Sequence, residues 1–233
     1  MPLKAILFDK DGTLLDFDLT WGAAGYHVMR TLANEDDAAF ARLVEAADYD
    51  LALRKYRPTS EIVAGAIDVL APIWAKALGR SDHDGVARDI DRLFRASAPD
   101  YIVPLGNPAG LMKALVDKGF KLGIATNDSE AAALQQAEIM GLIPHLDFIV
   151  GYDSGHGRKP DPGMIEAFAR ATGHAPHDVA MIGDSTHDLH AARAAGAVAI
   201  AVLSGPATEA ELAPHADHVI GSIADLPALL DTL

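Results

Sequence analysis

The sequence contains no cysteine, which rules out a disulfide, a thiolate nucleophile and a cysteine-based zinc site and leaves oxygen or imidazole to ligate any metal. It is also short of positive charge: 19 Lys and Arg stand against 33 Asp and Glu, for a formal net charge of -14. Such a surface repels the nucleic-acid backbone and disfavours anionic membranes, so neither is an expected partner. Nowhere do the roughly 18 apolar residues of a membrane helix run together. The N-terminus passes from Met-Pro-Leu-Lys straight into a short apolar run with no basic segment, longer apolar stretch or cleavage site, so a cytoplasmic protein is expected. The sequence has neither a G-x-x-x-x-G-K-[ST] phosphate loop nor a G-x-S-x-G elbow, which disfavours an ATPase or a serine hydrolase. A solenoid-type repeat is lacking too.

What is present begins with Leu3 to Phe8, a mostly apolar run that stops abruptly at Asp9-Lys10-Asp11-Gly12-Thr13. This is the pattern of a buried strand delivering two carboxylates to its C-terminal end, where open α/β sheets place their ligands. Neighbouring carboxylates repel unless a cation or hydrogen-bond donors compensate, so chemistry is expected at residue 9, against the alternative of an ordinary polar turn, which Asp-Gly alone would favour. The spacing is wrong for a calcium loop, since glycine falls fourth from Asp9 rather than sixth.

At 233 residues the chain is one large domain or a domain carrying an insertion. From Trp21 to about Pro99 the periodicity predicts four helices, over 20–33, 35–53, 59–79 and 82–97, with no convincing strand. Ser60 and Ser81 are plausible helix starts and Gly79 a plausible stop. From Pro104 strand and helix alternate. Helices are predicted over 108–118, 129–140, 162–172, 187–195 and 223–230, and strands over 120–125, 147–150, 179–182, 198–202 and 218–220. This implies an α/β fold with a Rossmann-like parallel sheet and helices on both faces. The long helical stretch after the first strand reads as an inserted all-helical cap, so residues 1–18 with 100–233 are expected to form the core domain and 19–99 the cap.

Four groups should then share one edge of the sheet: Asp9 and Asp11, Thr126-Asn127, Lys159 in Arg158-Lys159-Pro160-Asp161-Pro162, and Asp184 with Asp188 in Gly183-Asp184-Ser185-Thr186-His187-Asp188. In this set and order they resemble the motifs of the haloacid dehalogenase (HAD) superfamily of hydrolases. The inserted helices resemble the cap of its phosphoglycolate phosphatase and phosphomutase branch. The resemblance implies a sheet with the first strand central and the strand before Asp184 beside it. It also implies hydrolysis of a small-molecule phosphate monoester through an aspartyl-phosphate, with 2-phosphoglycolate the leading substrate.

In that reading Asp9 is the nucleophile and Asp11 the general acid and base. Asp9, Asp184 and the backbone carbonyl of Asp11 bind Mg²⁺, and Asp188 orients water or Lys159 from behind them. Thr126, Asn127, Lys159 and Gly12 contact phosphate, with Gly12 allowing close backbone approach. The presence of Asp11 points to phosphorus transfer, because dehalogenases of the superfamily lack it. Asn127, Asp128 and Ser129 compete as cap of the next helix, while His156, His187 and Arg158 are expected to be solvated or peripheral. Arg54 and Arg57 near the cap junction are candidates for substrate specificity, against the simpler reading of a basic helix end. Trp21 and Tyr56 either line a cleft or pack in the cap. The alternatives are a sugar phosphomutase on the same scaffold and a phosphate-sensing module without catalysis, and a receiver domain fits the length poorly.

Overall fold

A computed structural model of the protein describes residues 3–57, 59–60 and 67–233. The chain divides into two compact units, one of Met1–Asp16 with Pro104–Leu233 and the other of Phe17–Val103.

The first unit is built on a six-stranded sheet. Its strands are β1 (Ala5–Phe8), β4 (Lys121–Ala125), β5 (Phe148–Val150), β6 (Val179–Gly183), β7 (Val198–Val202) and β8 (His218–Ile220), with β2 and β3 lying in the other unit. The order is β5-β4-β1-β6-β7-β8 and every pairing is parallel. β1 is central because all four of its residues, Ala-Ile-Leu-Phe, are apolar and can be buried on both faces, as they are. It pairs Phe8 with Ile124 on one side and with Ile182 on the other, so the residues after these strands emerge together. The parallel sheet is as the sequence predicts, and the central place of β1 is as the family resemblance implies.

Helices α5 (Pro108–Asp117), α6 (Glu130–Ile139), α7 (Gly163–Thr172) and α8 (Thr186–Ala195) connect the strands. Their limits follow local chemistry. Asn107 caps α5, whose first residue is Pro108, and Ser129 rather than Asn127 or Asp128 caps α6. α8 starts in a capping box between Ser185 and Asp188. Leu7, Met164, Phe168, Met181 and Leu189 belong to one core cluster with the inward alanines of the helices. Phe168, fully buried, meets Phe148 at a ring-centroid distance of 5.7 Å; burying one such side chain is worth about 1.5–3 kcal/mol. The chain end differs slightly from expectation, with a 3₁₀ turn over Ile223–Asp225 before α10 (Leu226–Leu230), and a short helix α9 (Glu209–Leu212) is additional.

The second unit packs α1 (Phe17–Ala33), α2 (Asp37–Ala46), α3 (Ile67–Leu78) and α4 (His83–Tyr101) around Trp74, Leu43, Val28 and Ile90. Trp21 meets Phe94 edge-on at 5.3 Å. The helix expected over 35–53 is wrong in its second half. α2 ends at Ala46, and β2 (Tyr49–Asp50) and β3 (Lys55–Tyr56) form an antiparallel hairpin. Asp50 causes this locally: its carboxylate accepts from the N–H groups of Ala52 and Leu53, turning the chain, and Arg54 completes the turn at φ 52°. Two-residue strands carry no alternation to read. Asp82, not Ser81, caps α4, whereas Gly79 does stop α3, at φ 68°. The start expected for α3 falls partly outside the described residues, as does Pro58.

Candidate active site

Parallel strands end at the same edge, and four chain segments meet there. The ladder runs one residue past the strands on both sides of the site, with Asp9 N–H donating to Ile182 O (2.7 Å) and Thr126 N–H to Val150 O (3.1 Å). This fixes Asp9 and Thr126 as extensions of the sheet rather than loop residues. Asp9, Thr126, Lys159, Asp184 and Asp188 are all buried.

Lys159 is the electrostatic centre. Its Nζ donates to Asp9 Oδ1 (2.5 Å), Asp188 Oδ1 (2.6 Å) and the carbonyl of Ala125 (2.9 Å), which accounts for all three ammonium protons. Burial disfavours its charge, but Asp188 and Asp9 outweigh that and hold its pKa above the ordinary lysine value. Ligand oxygens of Asp9, Asp184 and Asp188 lie within 4.8 Å of one another. Burial, reinforced by repulsion from Asp188 and Asp11 and opposed by Lys159, pushes the Asp9 carboxyl up to about 7. Asp184 is pushed well above the ordinary range by burial and then by Asp9 and Asp188. Its only described side-chain donor is Thr13 Oγ1 at 3.5 Å.

Three buried acids are thus set against one lysine. A divalent cation would bring the group to neutrality, and an all-oxygen donor set suits a hard one. The residues therefore fit such an ion. Two glycines keep room beside Asp184: a Cβ on Gly12 or Gly205 would collide with its Oδ2. Gly12 also needs its φ of 75°. Asp188 is tied at both oxygens, Oδ1 by Lys159 and Oδ2 by the N–H (3.1 Å) and hydroxyl (2.6 Å) of Ser185.

The remaining expected residues are placed as follows. Thr126 Oγ1 accepts from Asp128 N–H at 3.1 Å, so its own proton can go to another oxygen. The Asn127 side chain clamps the peptide of Lys159, donating to its carbonyl (3.0 Å) and accepting from its N–H (2.9 Å). Any phosphate contact by Asn127 would use its backbone or the second Nδ2 proton. His187 is half-buried and held below its usual pKa by burial, while His156 and Arg158 are exposed. In the helical unit, Arg57 pairs with Asp48 (3.2 Å) and Asp50 (3.6 Å). The Arg54 guanidinium lies 4.3 Å from the centroid of Tyr26. Tyr56 is buried in edge contact with Tyr49 and Phe17, as packing would have it.

Sequence reasoning missed several neighbours. Lys10 is wholly buried, with Nζ 2.6 Å from Asp11 Oδ2 and 3.4 Å from Asp128 Oδ2. Ser204 donates to the carbonyl of Gly12 (2.7 Å), beside Gly205. The signal for the latter pair was available: Ser204-Gly205-Pro206 is a small-residue turn just after β7, at the same edge as the other motifs.

The haloacid dehalogenase-like hydrolase family matches residues 3–196. A phosphoglycolate phosphatase of Chromobacterium violaceum is 31% identical over 98% of this chain and 96% of its own. One from Rhodospirillum rubrum is 32% identical over 88% of this chain and 80% of its own. Among solved structures, a predicted phosphoglycolate phosphatase from Haemophilus somnus has the same fold, with a TM-score of 0.76 at 19% identity over 97% of each chain. The chain belongs to the haloacid dehalogenase-like hydrolases. No helix among the described residues is long and apolar enough to cross a membrane.

Proposed function

We propose that the protein is a Mg²⁺-dependent phosphatase that hydrolyses a small-molecule monoester through an aspartyl-phosphate on Asp9, with 2-phosphoglycolate as the leading substrate. The observation that carries this is the buried cluster of Asp9, Asp184 and Asp188 balanced only in part by Lys159. A purely structural cluster of this kind would repel itself, whereas a site awaiting a divalent ion needs that excess of negative charge.

Asp9, Asp184 and the backbone carbonyl of Asp11 are the proposed ligands, and the bound ion would shield a carboxylate nucleophile from a dianionic ester. Asp9 attacks phosphorus as Asp11 gives its proton to the leaving oxygen. Asp11 then takes a proton from the water that cleaves the aspartyl-phosphate, returning Asp9 as a carboxylate and releasing phosphate. Acid–base help of this kind contributes about 10² to 10⁴ in rate. The Lys159 ammonium balances the charge of phosphate and Asp9, the Thr126 hydroxyl holds a phosphoryl oxygen, Gly12 and Asn127 offer backbone, and Asp188 keeps Lys159 aimed. The names of the relatives support the choice of substrate.

The test is phosphate release from 2-phosphoglycolate and a panel of phosphorylated metabolites with Mg²⁺, for the natural chain and Asp9→Asn. Steady release by the natural chain and its loss in a folded Asp9→Asn protein are expected. Substantial residual turnover in Asp9→Asn refutes the nucleophile assignment. Dependence on a sugar bisphosphate activator would point to a mutase, and no release from any ester to a sensing module.

A further inference from the structure

Lys10 stands between the two acids of the first motif, and none of the roles proposed above uses it. A wholly buried ammonium is costly unless acceptors surround it. Here Asp11 Oδ2 lies at 2.6 Å and Asp128 Oδ2 at 3.4 Å from Nζ. Although burial works against the charge, Asp11 and Asp128 outweigh it and keep the lysine protonated.

Asp128 is itself fixed. Its Oδ1 accepts from Ser129 N–H (2.8 Å), and its own N–H donates to Thr126 Oγ1 (3.1 Å). The ion triad therefore ties the turn after β1 to the turn after β4. The Lys10 carbonyl anchors the same turn from its other side, accepting from Leu14 N–H (2.8 Å) and Leu15 N–H (3.1 Å). An apolar side chain of similar size would fill the space without desolvating a charge, and such replacements are often neutral or stabilising. Stability alone therefore gives no reason for a lysine, and its contact with Asp11 does.

We propose that Lys10 is a positioning residue for Asp11, pinning Oδ2 of that carboxyl group toward the Asp128 turn so that it meets the leaving oxygen in one orientation. This rests on the acid–base role proposed for Asp11. In the step concerned, an Asp9 oxygen bonds to phosphorus, the bond from phosphorus to the ester oxygen breaks, and the Asp11 proton goes to that oxygen.

The test compares kcat/KM for two esters, because this ratio covers the steps up to transfer onto Asp9. One ester is 4-nitrophenyl phosphate, whose leaving group departs without a proton, and the other an alkyl phosphate that the natural chain turns over, whose leaving group needs one. Lys10→Met is expected to lower kcat/KM about tenfold or more on the alkyl ester and less than about threefold on the aryl ester. Lys10→Arg should restore most of the loss. In an Asp11→Asn background Lys10→Met should have no further effect. Equal losses on both esters, a loss that persists without Asp11, or full alkyl turnover in a folded Lys10→Met protein would overturn the proposal.

If circular dichroism shows that Lys10→Met does not fold, Asp128→Asn decides. A smaller loss confined to the alkyl ester supports the proposal, and a uniform one overturns it. Unchanged alkyl turnover in Asp11→Asn would overturn both this inference and the acid–base reading. A required Asp11 with an unselective Lys10→Met overturns this inference alone.

Discussion

Lys159 Nζ lies 2.5 Å from Asp9 Oδ1, although 150 residues separate the two in the chain. The same ammonium also neutralises Asp188 at 2.6 Å. Lys159→Met would leave buried acids without their counter-charge, a change that typically costs about 3–5 kcal/mol. Urea unfolding at neutral pH should show a loss of that order, with turnover abolished. Unchanged stability would mean that the acids are already neutral or solvated.

Metal should act on the same balance from the other direction. A cation that binds only the folded acidic cluster stabilises it by mass action, by about 2.7 kcal/mol at a concentration one hundred times its Kd. Millimolar Mg²⁺ is expected to raise Tm in the natural chain and to do so less in Asp184→Asn. A Tm that does not respond to Mg²⁺ would count against the metal assignment.

Gly205 offers a test of the space around Asp184, since a Cβ there would collide with the carboxylate. Gly205→Ala should displace Asp184 and weaken Mg²⁺ binding about 10- to 100-fold, the usual scale for disturbing the surroundings of a metal ligand. Isothermal titration would measure it, with circular dichroism to confirm the fold. Unaltered affinity would place the ion away from Asp184.

At the opposite end of β1, Lys4 Nζ lies 3.0 Å from Asp178. The hydrogen bond from Lys4 is the main reason that the Asp178 carboxyl stays below its usual pKa, with His177 and His174 assisting. A depressed acid pKa contributes stability that is present above the unfolded value of about 3.9 and is lost as pH falls through the folded value. Lys4→Met should therefore lower Tm near neutral pH, and its difference from the natural chain should shrink as pH falls below the unfolded carboxylate value of about 3.9. A constant difference across that range would show that the lysine acts through packing alone.

The core fold was readable because each of its signals is local. Leu3 to Phe8 is too apolar and too short to be anything but a buried strand, and the alternation after Pro104 admits few topologies besides a parallel sheet. Asp9, Thr126, Lys159 and Asp184 could be expected at one edge because parallel strands end together. The hairpin at Tyr49 to Tyr56 was not readable: two-residue strands have no period, and it is the Asp50 turn and the pairing of Tyr49 with Tyr56 that make it.

Side-chain roles within the motifs divide in the same way. From its type Asn127 could bind phosphate or cap a helix, and only the approach of the Lys159 backbone makes its side chain a brace. Lys10 is given no role by the sequence, yet the fold buries it against Asp11 and Asp128.

The sequence by itself determined the strand–helix order and the chemical types at each strand end, because hydrophobic period and residue type are properties of neighbouring residues. Tertiary structure alone decided which oxygen faces which nitrogen, where charge is desolvated and what room surrounds Asp184. Those depend on groups far apart in the chain, whose separation is set only when the sheet closes around them.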